Sequence, residues 1–163
     1  MDTQEQPNNA IHSELVTQFQ RMRDPLRKRW VELMTAKGLL TGLTAQETEN
    51  ESATIYDTCV RCLETGKYDE AQAYAKAMAE RGVLRGMTTD QIVAGFLTLR
   101  DVYGRSLFEL YQQDLPRLNG ALDVYEPVAN RILSIVAMAF IEEREKDLRQ
   151  QQEAIRELST PVL

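Results

Sequence analysis

Asp123 to Leu163 reads DVYEPVANRILSIVAMAFIEEREKDLRQQQEAIRELSTPVL, and it changes character halfway while keeping helical periodicity. Its first half places Val128, Ile132, Ile135, Val136, Ala139 and Phe140 at spacings of three and four, the wide apolar face of a core helix. From Glu142 onward nearly every residue is charged or an amide, yet nothing breaks a helix. The apolar residues that remain, Ile141, Leu148 and Ile155, fall seven apart, with Leu158 three further on. A heptad stripe seeks a second helix rather than a globular core. The stretch therefore predicts one helix of ~35 residues, ~50 Å long, that leaves the domain and continues as a coiled-coil-like linker. The other seam positions, Ala137, Arg144 and Gln151, make the stripe imperfect, so the tail pairs weakly unless the body dimerises as well.

The remaining composition fits one domain. A chain of 163 residues can bury a single core, and its 43% apolar content is lowered by the polar tail. A net charge of −6 argues against nucleic acid, which needs a concentrated basic surface. The basic cluster Arg21, Arg23, Arg27, Lys28 and Arg29 interleaves with a helical apolar stripe and reads as a solvated face. No run approaches ~18 consecutive apolar residues and no signal peptide opens the chain, so no membrane partner is expected. Two cysteines without a secretory signal indicate a cytoplasmic setting.

Taken in order, residues 1–10 read as a flexible polar tail. Ile11, Leu15, Phe19, Met22 and Leu26 begin a stripe that runs through Trp30 and Met34. Asp24-Pro25 divides it into helices over about 11–23 and 25–36. Thr44 with Glu47 has capping-box spacing and opens a helix to about Glu64. Asp69 to Arg81 is a shorter alanine-rich helix, with Gly82 as its stop. Thr88 with Gln91 caps a central helix carrying Ile92, Phe96, Leu99, Tyr103, Leu107 and Leu110. Gly95 and Gly104 inside it suggest close helix crossings. Leu115-Pro116 and Asn119-Gly120 read as turns, and the final helix starts between Asp123 and Pro127. No segment alternates with period two. The expectation is an all-α bundle of about six helices, with a body over 11–141 and a linker over 142–163.

Few constellations suggest chemistry. Cys59-Val-Arg-Cys62 offers two thiols where structural zinc needs four ligands. The pair also lies toward a helix C-terminus, where the dipole disfavours thiolate. Packing in the core is the simpler reading, and a four-thiol site shared between two subunits is the alternative. His12 is the sole histidine and is expected to be exposed, which excludes a multi-histidine metal site within the chain. No glycine-rich phosphate loop occurs, and no carboxylate pair sits in an apolar setting. Catalytic, metal and cofactor residues are accordingly expected to be none. Arg100, beside Phe96 and Tyr103 on a largely apolar helix, reads either as the lining of a small ligand pocket or as an interfacial or salt-bridged arginine reaching water.

The closing residues QQEAIRELSTPVL, 151–163, resemble the helix-to-STAS junction of RsbR-type proteins of the bacterial stressosome. The preceding FIEEREKDLR resembles their linker helix, and the body is more loosely similar to the RsbRD-type N-terminal domain. This resemblance implies a globin-like fold without haem, a non-enzymatic sensory role, a homodimer, and partners among stressosome STAS-domain scaffolds and the kinase of a partner-switching system. Asp69 to Arg81 contains no histidine to ligate haem, offering only Tyr74 and Met78, which agrees with that implication. Thr160 matches no family phosphosite. The apolar ending Pro161-Val162-Leu163 looks like the entry to a STAS sheet, so these residues are expected to form one domain of a longer chain. Ile141, Leu148, Ile155 and Leu158 are the candidate dimer and linker contacts. Phe96, Arg100 and Tyr103 are the candidate pocket, whose alternative role is binding a small molecule or chromophore between the central helices.

Overall fold

A computed structural model of the chain describes residues 5–159. These form six α-helices: α1 Glu5–Arg21, α2 Arg23–Ala36, α3 Ala45–Thr65, α4 Asp69–Leu84, α5 Thr89–Tyr111 and α6 Leu115–Ser159. Among the described residues there is no strand. The candidate junction residues from Thr160 onward, and the first four of the tail, lie outside the described residues.

Local chemistry accounts for several of the boundaries, including some that differ from the sequence reading. Helix α1 begins at Glu5, within the stretch read as a tail. The α1–α2 break falls at Met22, two residues before Asp24. Asp24 is not the cap: Leu26 donates its N–H to the Met22 carbonyl, so Pro25 sits in the first turn, where no N–H is needed. Thr44 caps α3 by accepting from the Glu47 N–H at 3.1 Å. The Glu47 carboxylate does not close the box; it pairs with Arg85, just past the end of α4, at 2.8 Å instead. Thr88 and Gln91 form the complete reciprocal box at α5.

Two turn readings are corrected. Gly82 lies inside α4, which runs on to Leu84, and Gly86 with φ +75° follows the helix end. A Cβ on Gly82 would lie 2.9 Å from the Phe140 ring, so glycine here permits the close α4–α6 approach. Leu115-Pro116 is the first turn of α6 rather than the close of α5. Asp114 accepts from the Arg117 N–H at 3.2 Å, an N-cap, and proline fits the first turn. Helix α6 is thus 45 residues long, with Asn119, Gly120 and Pro127 inside it.

The core forms where α6 packs across α1, α3, α4 and α5. Phe19, Tyr56, Tyr103 and Tyr125 make an aromatic cluster, with Phe19 and Tyr103 edge to face at 4.7 Å. Trp30 is buried and donates its indole N–H to the Gly95 carbonyl at 2.9 Å. Gly95 therefore marks a real α2–α5 contact. Gly104 does not mark one within the chain, since a Cβ there would meet nothing within 4 Å.

By length and composition, one helix among the described residues could cross a membrane: α6, through an 18-residue window of mean hydropathy 1.4. A count of consecutive apolar residues misses it, because Glu126, Asn130, Arg131 and Ser134 interrupt the run, while the apolar residues around them keep the mean high. Ile132, Val136 and Phe140 of this helix are buried in the core.

Candidate functional site

Helix α5 presents Phe96, Leu99, Arg100 and Tyr103 on one face, and the fold turns that face toward an internal cavity. All three residues singled out in sequence, Phe96, Arg100 and Tyr103, line it. Phe19 of α1 and Cys59, Val60 and Leu63 of α3 supply further walls. The last wall belongs to α6: Tyr125 before Pro127, then Val128, Ala129, Ile132 and Leu133 after it. Sequence periodicity marked Val128 and Ile132 as core positions and carried no signal for which helix they face.

The cavity is apolar and small, with a free volume of about 40 Å³. An apolar cavity that takes up benzene measures roughly 150 Å³. A chromophore or drug-sized molecule, whose pockets run from about 300 Å³, does not fit this conformation.

Its polar groups are subdued. Burial pushes the Cys59 thiol up to about 12, and neighbouring Cys62 adds to the rise. Burial likewise holds Tyr103 well above its ordinary range, and raises Tyr125. All of them stay protonated at neutral pH, so none is a poised base or nucleophile. The hydroxyls are used structurally. Tyr125 donates to the Arg100 carbonyl at 2.9 Å, and Tyr56 donates to the Phe19 carbonyl at 2.6 Å.

Arg100 is the one charged residue lining the cavity, and it is half-buried. It forms no ion pair among the described residues, contrary to the salt-bridged reading. Its neighbour Asp101 pairs with Arg105 at 2.9 Å. Tyr125 is the group that feels the Arg100 charge, which tempers its upward shift.

A second apolar cavity of about 80 Å³ lies between α2, α3, α4 and α5, and Phe96 is a wall of both. Met78 lines this second space. Tyr74 instead hydrogen-bonds Glu51, which Arg81 also holds at 2.8 Å, so this group ties α3 to α4. His12 is half-buried rather than exposed, with Nε2 2.5 Å from the Leu63 carbonyl, joining α1 to the end of α3. Of the basic cluster, Arg23 holds Asp57 through two hydrogen bonds and Arg27 holds Glu49, so part of that face is structural. Among the described residues, no three His, Cys, Asp or Glu side chains converge as a metal site would require.

The second feature is the free end of α6. Phe140 is fully buried, and from Ile141 to Ser159 no residue is. Ile141, Leu148, Ile155 and Leu158 are 39%, 48%, 62% and 87% exposed. This segment projects roughly 29 Å beyond the last core contact, at 1.5 Å per residue. Met138, 52% exposed, adds an apolar group three residues before Ile141.

No protein-family model, curated protein or solved structure matches the chain.

Proposed function

We propose that this chain is a non-enzymatic, cytoplasmic sensory module of the stressosome RsbR type. It dimerises, and α6 relays a signal from the helical body to a following STAS domain that acts on the partner-switching kinase. The body would be a globin-like fold without haem, in line with the resemblance of residues 151–163. The observation that carries the reading is α6 itself. It is one uninterrupted helix from Leu115 to Ser159, anchored in the core at Phe140, with a bare apolar stripe beyond it. Apolar side chains at heptad spacing on a solvated helix are stabilised by a second helix. The second copy places both linker helices side by side, with their C-terminal ends leading the same way. Leu97 and Phe108 on the outer side of α5, 45% and 55% exposed, extend apolar surface onto the body.

Sedimentation equilibrium at tens of micromolar tests the reading. A dimer supports it, and a monomer contradicts it. A second reading, a small-molecule-binding helical protein, draws on the convergence of Phe96, Arg100 and Tyr103 on one cavity. The two readings combine if the ligand is the signal.

A further inference from the structure

We infer that the cavity behind Arg100 takes a compact apolar anion, such as a small aromatic carboxylate, and that its entry swings the outer part of α6 about Pro127. The inference rests on the sensory reading and names its ligand class and its transmission.

The ligand class follows from the lining. Every wall except Arg100 is apolar or carries its polar group protonated and uncharged. The guanidinium has no ion-pair partner among the described residues. It also borders an open groove on the outer side of α5 and α6, which Leu97 and Glu126 line as well. An apolar body enters the cavity while its carboxylate meets Arg100, the geometry in which arginine binds most selectively. A cationic ligand would meet the Arg100 charge and find no carboxylate among the cavity walls, since Asp101 and Glu126 border only the outer groove.

The transmission follows from size. With about 40 Å³ free, the cavity admits a benzene-sized body only if a wall moves. The wall with a backbone weak point is α6, and its tilt must slide the buried Ile132, Val136 and Phe140 against α4 and α5, a cost that ligand binding has to offset. Pro127 has no N–H to give the Asp123 carbonyl, so the helix lacks one internal hydrogen bond exactly where the wall passes from Tyr125 to Val128. Occupancy therefore presses on both sides of an existing weak point. Beyond it, Pro127 to Gln150 is a lever of ~35 Å, so a tilt of ~10° carries Gln150 through roughly 6 Å. The ligand favours the tilted state because only that state accommodates it, which is the differential affinity a switch requires.

The test uses benzoate, with benzyl alcohol as its uncharged counterpart, and the whole chain. Titration calorimetry compares wild type with Arg100→Gln. A Lys28→Cys, Gln150→Cys variant, spin-labelled and diluted with unlabelled chain, reports the body-to-tail distance by pulsed electron resonance. Both labels are placed in a Cys59→Ser, Cys62→Ser background, because Cys62 is buried but Cys59 only half-buried. The expected result is benzoate binding that Arg100→Gln weakens about tenfold, with benzyl alcohol equally weak on both proteins. The label distance shifts by several ångströms on adding benzoate, and Pro127→Ala abolishes the shift. No benzoate binding to wild type overturns the site, and equal binding to Arg100→Gln overturns the anion. Binding with an unchanged distance, or an equal shift in Pro127→Ala, overturns the lever. The distance lies within one chain, so its outcome is independent of whether the protein dimerises. The same tail label alone, undiluted, reports dimerisation separately.

Discussion

The same substitution in two helices should act with opposite signs. Gly82 and Gly104 are both helical, so replacing either by alanine recovers about 1 kcal/mol of helix propensity. At Gly104 nothing else changes, because a Cβ there meets no atom within 4 Å. Gly104→Ala should stabilise the fold by about 1 kcal/mol. At Gly82 the new methyl would stand 2.9 Å from the Phe140 ring edge. Phe140 is fully buried, so its ring cannot retreat without disturbing the α4–α6 packing. Overpacking of this kind costs about 1–3 kcal/mol, which offsets the propensity gain and leaves a net loss of roughly 1 kcal/mol. For a chain of this length each kilocalorie moves the melting temperature by about 2–4 °C. Thermal unfolding by circular dichroism should therefore rank Gly104→Ala above wild type and Gly82→Ala below it. A Gly82→Ala protein that melts higher than wild type would refute the claim that glycine is there for the α4–α6 approach.

Other expectations concern charge, thiols and the tail. Arg23 holds Asp57 below the usual carboxylate range, chiefly through their hydrogen bonds. A depressed carboxylate contributes stability above its unfolded value near ~3.9, and this is lost as pH falls through the folded value. Both side chains are about one-third exposed, so the contribution is under about 1 kcal/mol after solvent screening. Urea denaturation across pH 2–6 should show Asp57→Asn losing only that acid-side slope. Cys62 should react with a disulfide reagent at pH 8 far more slowly than in urea, and prompt native reaction of both thiols would contradict its burial. The double variant Leu148→Asp, Ile155→Asp should keep the wild-type monomer melting curve, since both side chains are exposed, and should still bind benzoate. Under the proposed relay, the same double change should abolish signalling. A core that unfolds on this change would mean the tail packs back on the body.

The sequence disclosed what depends on short-range chemistry. The Thr88–Gln91 box, the end of α3 at Thr65, beside the expected Glu64, and the bare heptad stripe are local patterns, and each is seen where its residues predict it. The face of α5 that carries Phe96, Arg100 and Tyr103 was legible for the same reason. Errors came where one residue type serves two purposes. Proline at 25 and 116 reads equally as a break or a first turn, and only the hydrogen bonds of Met22 and Asp114 decide. Glycine at 82 reads as a stop until the Phe140 ring is placed against it. His12 looked exposed because the residue it meets, Leu63, is 51 positions away. The α6 wall of the cavity was illegible because a helical face does not say which neighbour covers it.

The central claim is that two copies pair side by side along the free part of α6. Cysteine cross-linking under mild oxidation in a Cys59→Ser, Cys62→Ser background tests it directly. Leu148→Cys, on the exposed stripe, should give a reducible dimer on a denaturing gel, whereas Gln150→Cys on the opposite side of the helix should remain monomeric. Cross-linking at Gln150 but not at Leu148, or at neither, would contradict pairing along the stripe.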